Sequence, residues 1–214
     1  MERYLNEICG TLVLYSECPT LFKGYYVGIL DTDEINAFAT SGGHILISRG
    51  LIECATSEDA LAAVLAHEIA HIQLQHSLRA IKTSRVTDAI TKTTFAAATV
   101  LSEGEFKEFT DAFGDAVDDI VAEMVDSGYS KSQEFDADSN ALKIMAAAGY
   151  NPKAMNDMLL VLEENTDTQE GWGKTHPTPK KRMDNLKKQY DKYTVTDTTA
   201  SRTARFLAVM SNFN

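Results

Sequence analysis

The stretch TSEDALAAVLAHEIAH, residues 56–71, decides the centre of the fold. The hydroxyls of Thr56-Ser57 and the acids of Glu58-Asp59 are the residues that favour the first turn of a helix. Apolar side chains then recur at three- and four-residue spacing, at Leu61, Val64, Leu65 and Ile69. The segment therefore predicts a helix that carries the motif His67-Glu68-Ile69-Ala70-His71.

Residues 67–71 form an H-E-x-x-H motif. Residues four apart share one face of a helix, so His67 and His71 can reach the same metal ion. Glu68 lies beside the first histidine and can reach a water molecule at that metal. Two neutral imidazoles and an open position suit zinc, and a buried glutamate between them is costly without a metal. The alternative is a pair of helix histidines on a polar face, which a metal analysis would reveal.

Zinc needs a third protein ligand. The compact pattern H-E-x-x-H-x-x-G-x-x-H is excluded, because Leu74 and Ser77 occupy the positions of its glycine and last histidine. On a continuous helix His76 points about 140° away from His71, so we expect a surface or second-shell histidine there rather than a ligand. The remaining option is a ligand from a second helix.

The stretch SQEFDAD, residues 132–138, can supply that ligand. Glu134 and Asp138 are four residues apart and share one helix face. One carboxylate can bind zinc, and the other can accept the remaining N–H of a zinc-binding histidine. The spacing alone leaves open which does which. Asp136 falls on the opposite face and is expected in solvent.

The rest of the chain predicts an α+β fold that is predominantly α-helical. Strands are expected at 25–30, 35–39 and 44–48, the last two joined as a hairpin through Gly42-Gly43. Further helices are expected at 2–16, 84–101, 105–126, from Ser130 or Ser132 to Gly149, at 151–164, from Thr178-Pro179, and in the tail at 198–214. A loop is expected at 166–175.

The composition of the chain limits which partners, disulfides and membrane segments are expected. The 214 residues carry a net charge of −11, which disfavours nucleic acid and anionic membranes as partners. The three cysteines have no paired spacing, so three buried thiols are expected, with a Cys9–Cys18 disulfide left open. No stretch reaches the roughly 18 apolar residues of a membrane span. The start, Met1-Glu2-Arg3-Tyr4, lacks the basic and apolar regions of a signal peptide.

Four segments together resemble the gluzincin peptidases of family M48, the HtpX, CAAX prenyl protease type I and BepA/LoiP kind. They are Asn36-Ala37-Phe38-Ala39 with Gly42-Gly43 and Arg49-Gly50-Leu51, then His67 to His71, Glu134 to Asp138, and Thr175-His176-Pro177 followed by Arg182. The resemblance covers roughly residues 3–190 and is strongest to the envelope-associated branch. It implies a gluzincin-type metallopeptidase domain at 1–193, with a small sheet above an active-site helix. The C-terminal helical tail expected at 194–214 lies outside the resemblance.

The resemblance also implies a role for each matching residue. His67, His71 and Glu134 match the ligands of one Zn²⁺ per chain. Glu68 matches the general base, and Asp138 matches the carboxylate that orients a ligand histidine.

Three further matches lie around that centre. His176 matches a histidine near the tetrahedral intermediate, and Arg182 matches an arginine of the same constellation. Asn36-Ala37-Phe38-Ala39 match the edge strand above the cleft that binds substrate. One departure is His44, where relatives carry an aromatic residue after the paired glycines, and we interpret it as strand surface.

These residues predict a zinc metalloendopeptidase acting on extended or unfolded polypeptides. Zinc would activate water, Glu68 would shuttle its proton, and His176 could donate to the developing oxyanion. An exposed strand at 35–39 would bind an extended peptide by strand addition. The resemblance implies a cell-envelope or periplasmic location, with the cytoplasm left open, and the sequence predicts no oligomeric state.

Two alternatives stay open. One is a zinc-binding, chaperone-like or autoinhibited module in which His176 or the tail blocks the cleft. The other is a helical structural protein with an accidental motif. Turnover of an unfolded protein, with zinc and with a chelator, separates the lead prediction from the first, and metal analysis separates it from the second.

Overall fold

The computed structural model describes residues 1–21, 24–79, 128–164, 176, 179–194 and 198–213. In chain order its elements are α1 (Glu2–Leu14), β1 (Tyr26–Leu30), β2 (Ala37–Ala39), β3 (His44–Ser48), α2 (Arg49–Cys54), α3 (Glu58–Gln73), α4 (Lys131–Ala147), α5 (Ala154–Glu164), α6 (Pro179–Lys187), a 3-10 turn (Tyr190–Lys192) and α7 (Thr199–Met210). The helices predicted at 84–101 and 105–126 and the loop predicted at 166–175 lie outside the described residues. No helix within these ranges has both the length and the apolar character to cross a membrane.

Helix α3 is the centre of the core. Ser57 caps it, its side chain accepting a hydrogen bond from the Ala60 amide, as the sequence predicts. Every residue from Glu58 to Ile72 is buried, so the helix has no solvated face. Helices α1, α4, α5 and α7 and strand β2 all contact it. The polar residues of α3 therefore face other protein groups rather than water, and those groups must satisfy them.

A three-stranded sheet lies beside α3, in the order β1-β3-β2. Strand β1 pairs parallel with β3, and β2 pairs antiparallel with β3, which confirms the predicted hairpin. Gly43 in its turn has φ +93°, and a Cβ there would lie 2.2 Å from the Gly24 carbonyl oxygen. Only glycine fits both constraints. The sheet order leaves β2 at an edge, next to α3.

The short helix α2 is absent from the sequence prediction. Ser48 begins it by accepting a hydrogen bond from the Leu51 amide. A Cβ on Gly50 would lie 2.1 Å from the Asp33 carbonyl oxygen, so the helix packs directly against the backbone before β2. Six residues are too few to show a helical period, which is why the pattern gave no signal.

Helix α4 begins after Ser130, the first of the two predicted starts. The Ser130 hydroxyl accepts from the Gln133 amide, and the Gln133 side chain accepts from the Ser130 amide at 3.0 Å. Gly149, with φ +82°, follows its last turn, as the sequence predicts for the C-terminal end. This frame places Glu134 in the first turn and Asp138 one turn later on the same face.

The cysteines differ from the expectation of three buried thiols. All three are free; Cys9 is buried, Cys54 is partly buried and Cys18 is exposed. The predicted helix at 2–16 places Cys9 on its core face, whereas Cys18 lies beyond the end of α1. The short sequence spacing of Cys9 and Cys18 does not bring them together, because only one of them belongs to the helix.

The C-terminal helix α7 neutralises the acids that begin α3. Arg202 Nε donates to Asp59 Oδ2 at 2.8 Å, and both side chains are nearly buried, 7% and 10% exposed. Arg205 Nε donates to Glu58 Oε2 at 2.7 Å, and Glu58 also accepts from the Tyr4 hydroxyl at 2.9 Å. The tail thus packs on the N-terminal turn of α3. The division into 1–193 and 194–214 stays a prediction.

Removing the Arg202 charge should weaken the fold. In Arg202→Met the Asp59 carboxylate stays buried and, among the described residues, keeps only the Asn151 amide, 2.7 Å away, as a donor. Breaking one side of a buried ion pair typically costs about 3 kcal/mol or more, and we expect a loss near that in the free energy of unfolding by urea denaturation. The control is Lys187→Ala, which removes a solvent-exposed pair with Asp184 and should leave the urea midpoint in place. Equal midpoints for both variants would contradict a stabilising role for α7.

Candidate metal centre

The predicted site residues converge in the described structure. Helix α3 carries His67, Glu68 and His71, helix α4 carries Glu134 and Asp138, and α6 carries Arg182. His176 precedes α6. Each of these seven side chains is at most 1% exposed. So many ionisable groups away from water are stable only when they are paired or hold a metal.

Three of these side chains direct metal-ligand atoms at a common point. His67 Nε2 lies 3.0 Å from His71 Nε2 and 3.5 Å from Glu134 Oε2. His71 Nε2 lies 3.4 Å from Glu134 Oε1. Tetrahedral zinc with bonds of about 2.0–2.1 Å separates its ligand atoms by about 3.3–3.4 Å. The two imidazoles and the carboxylate therefore fit zinc in both donor type and spacing.

His176 lies closer to this point than the sequence prediction placed it. Its Nδ1 is 3.2 Å from His67 Nε2 and 3.0 Å from Glu134 Oε1. The ligand atoms of His67, His71, Glu134 and His176 all lie within 4.8 Å of one another. The sequence predicts His176 beside the ligand set, whereas the structure brings a ring nitrogen in among the ligand atoms.

A buried ionic network orients the ligands. Asp138 Oδ1 lies 3.0 Å from His67 Nδ1, which places the proton of His67 on Nδ1 and leaves Nε2 for a metal. Arg182 donates twice to Asp138, at 2.8 and 2.6 Å, and its Nη1 lies 2.8 Å from Glu134 Oε2. Burial opposes ionisation of Glu134, but His176 and Arg182 hold the pKa of its carboxyl well below the usual range. One guanidinium thus contacts both Glu134 and Asp138.

The two α3 histidines have different protonation equilibria. Burial and the charge of Arg182 oppose protonation of His67, but its bonds to Asp138 and Glu134 outweigh them and raise its pKa to about 9. Burial and the neighbouring His67 lower the pKa of His71 well below its usual range. A metal entering this site must displace a proton from His67.

Glu68 is a buried carboxylate whose hydrogen-bonding capacity the described residues leave unused. It is fully buried, and neither of its carboxylate oxygens has a hydrogen-bond partner among the described residues. Its Oε1 lies 3.5 Å from His176 Nε2. A buried carboxylate without donors is costly unless water or substrate supplies them. Such a group fits a site built to hold a reacting molecule next to a metal.

Two further residues, His76 and Tyr129, contact His71. His76 Nδ1 lies 2.9 Å from His71 Nδ1, and His76 is 1% exposed, so the surface option for it is wrong. The predicted angle of 140° assumed a continuous helix, but α3 ends at Gln73 and Gln75 has φ +55°. The ring of Tyr129 stacks on His71, with 3.9 Å between ring centroids. No sequence pattern marks Tyr129, because its contact depends on how α4 packs against α3.

The predicted substrate segment lies at the sheet edge. Residues Ala37–Ala39 form β2, and Asn36 precedes it. Asn36 exchanges hydrogen bonds with Ser48, its amide donating to the hydroxyl and its carbonyl accepting from the amide, each at 2.9 Å. Its side-chain oxygen is buried without a partner among the residues described. Asp136, predicted in solvent, is exposed, and so is His44.

Comparison with known proteins identifies the family to which this chain belongs. The sequence profile described as Peptidase family M48 matches residues 2–190. The chain is 32% identical over 155 residues to the mitochondrial metalloendopeptidase OMA1 of Schizosaccharomyces pombe, covering 69% of this chain and 41% of that protein. It is 24% identical over 186 residues to the beta-barrel assembly-enhancing protease of Escherichia coli K12, covering 86% and 37%. Metalloprotease YcaL of Escherichia coli K12 is 26% identical over 154 residues, with 70% and 51% covered. The chain thus spans about a third to a half of the length of these relatives.

Proposed function

Because the chain belongs to peptidase family M48, we propose that it is a zinc-dependent metalloendopeptidase that hydrolyses extended or unfolded polypeptides. The observation that carries the proposal is the convergence of His67, His71 and Glu134 at the ligand spacing of tetrahedral zinc. Zinc held by these three residues would acidify a water molecule and polarise the scissile carbonyl. The names of the relatives, metalloendopeptidase and protease, support the same chemistry.

Glu68 is the proposed general base. Its carboxylate oxygens lie in the buried site and have no hydrogen-bond partner among the described residues, with Oε1 3.5 Å from His176 Nε2. It accepts the proton of the attacking water and returns it to the leaving amine, which becomes a good leaving group only when protonated. Because no described residue donates a hydrogen bond to these oxygens, the carboxylate stays available as an acceptor.

His176 is the proposed donor to the oxyanion that develops on the scissile carbonyl. A hydrogen bond to that oxygen strengthens only as negative charge develops, so it lowers the barrier rather than tightening substrate binding. In the described arrangement, however, His176 Nδ1 lies among the ligand atoms. Its ring must withdraw from that position before a substrate carbonyl can occupy it.

That position of His176 favours a second candidate function, an autoinhibited resting state. A catalytic zinc site keeps one position open, whereas four protein ligands close it. His176 Nδ1, at 3.0–3.2 Å from Glu134 and His67, has the spacing of a fourth ligand. In this alternative the chain holds zinc but turns over little until the His176 ring leaves the ligand atoms.

The variant His176→Phe should distinguish these roles. Three ligands remain, so we expect full zinc content, together with a fall in kcat of about 10²–10³-fold and little change in KM. Zinc content and peptide turnover are measured on the same preparation, with His44→Phe as the control on an exposed strand position. A rise in turnover would instead show that His176 acts as a plug, and loss of zinc would make it an essential ligand.

Strand β2 is the proposed binding surface for the substrate backbone. Its outer edge has no strand partner among the described residues, and it contacts the helix that carries the metal ligands. An extended peptide can pair with such an edge through main-chain hydrogen bonds with little demand on sequence. This geometry requires an extended chain, so a disordered substrate should be cleaved and its folded form should not.

The proposed location is the cell envelope. The proposal is supported by relatives whose names refer to beta-barrel assembly and by one named as mitochondrial. The proposed partner is a polypeptide substrate, and the net charge of −11 argues against nucleic acid.

A further inference from the structure

Among the described residues, His76 is a buried histidine that contacts a proposed zinc ligand but has no role in the predicted constellation. We propose that His76 is a positioning residue, which accepts the Nδ1 proton of His71 and thereby directs His71 Nε2 at the metal. The inference rests on the zinc site proposed above. It assigns no catalytic contact to His76, which acts only through His71.

The assignment follows from the two nitrogens that meet. His76 Nδ1 and His71 Nδ1 are 2.9 Å apart, a distance at which one must carry a proton and the other must accept it. His71 Nε2 faces the ligand atoms of His67 and Glu134, so it must keep its lone pair for the metal. The proton of His71 therefore lies on Nδ1 and is donated to His76. The proton of His76 then lies on Nε2.

The same task is performed differently for the other ligand histidine. His67 Nδ1 donates to a carboxylate, Asp138, at 3.0 Å. The site already buries the carboxylates of Glu68, Glu134 and Asp138, and the guanidinium of Arg182 contacts the last two. A neutral imidazole orients His71 without adding a fourth buried negative charge.

The backbone between the two histidines is shaped to make this contact. Gln75 has φ +55°, a left-handed conformation that is unfavourable for a residue other than glycine. It turns the chain back after the end of α3, so that His76 meets His71 instead of pointing away. Tyr129 lies against both rings, with centroid distances of 3.9 Å to His71 and 5.9 Å to His76. Strain of this kind persists only where the surrounding contacts impose it.

Two variants separate a hydrogen-bond acceptor from a space-filling ring. His76→Asn keeps an acceptor oxygen near the position of Nδ1 but loses ring volume, and His76→Phe keeps the ring but has no acceptor. The zinc dissociation constant is measured by chelator competition, and the melting temperature of the metal-free protein is measured beside it. We expect His76→Phe to weaken zinc binding by about 10–100-fold and His76→Asn to stay within a few-fold of wild type. A packing role predicts the reverse order, and equal affinities in all three proteins would also overturn the proposal.

A measurement on the wild type keeps the proposal testable even if a variant does not fold. Nitrogen-15 chemical shifts and long-range proton couplings of the zinc-loaded protein report which ring nitrogen carries each proton. We expect His71 protonated at Nδ1 and His76 at Nε2. A proton on His76 Nδ1 would contradict the inference. Failure of the wild type to bind zinc would instead overturn the proposed function, so the two failures are distinguishable.

Discussion

Glu68→Gln should bind one zinc per chain and hydrolyse unfolded polypeptide at least about 10²–10⁴-fold more slowly than wild type. Glutamine keeps the size of the side chain but cannot take a proton from water. Glu68 is no ligand in this account, so the ion should stay in place. The wild-type carboxylate is fully buried without hydrogen-bond partners among the described residues. Its neutral replacement should therefore leave the metal-free protein at least as stable as the wild type.

Three measurements on one preparation check this result: zinc content, melting temperature and turnover. The matched control is Asp136→Asn, which removes an exposed carboxylate from the other face of α4. That variant should match the wild type in all three. Hydrolysis by Glu68→Gln within a few-fold of the wild-type rate would remove Glu68 from the role of general base.

Glu134→Ala should lose stoichiometric zinc, whereas Asp138→Ala should bind it about 10–100-fold more weakly. Glu134 supplies one of the three proposed ligand atoms, and two imidazoles alone do not complete a zinc site. Asp138 is not a proposed ligand and acts on the metal only through His67, whose Nδ1 lies 3.0 Å from its carboxylate. Chelator competition measures both affinities. Tight zinc binding by Glu134→Ala together with loss in Asp138→Ala would mean that the two roles are reversed.

The part of the site that follows from local geometry could be predicted from sequence. Helical periodicity alone places His67 and His71 on one face of their helix. It likewise places Glu134 and Asp138 on one face of a second helix. The caps at Ser57 and Ser130 follow from the same kind of local chemistry. Spacing could not decide which carboxylate faces the metal point, and the resemblance to family M48 supplied that assignment as an expectation.

Contacts that depend on tertiary structure could not be predicted. The position of His76 depends on the left-handed conformation of Gln75, which no local residue preference requires. The pair between Arg202 and Asp59 joins residues 143 positions apart. The contact between His176 and His67 likewise joins residues 109 positions apart. Each of these contacts depends on tertiary packing and leaves no signal in the local sequence pattern.

A zinc titration of the metal-free wild type, with cleavage of an unfolded polypeptide followed at each step, tests whether this site is the zinc centre of a peptidase. We expect activity to rise with added zinc and to reach its plateau at one equivalent per chain. We also expect no cleavage by Glu68→Gln at the same zinc occupancy. Cleavage that persists without metal, or a wild-type chain that binds one zinc and cleaves no faster than Glu68→Gln, would contradict the assignment of this site as a zinc peptidase.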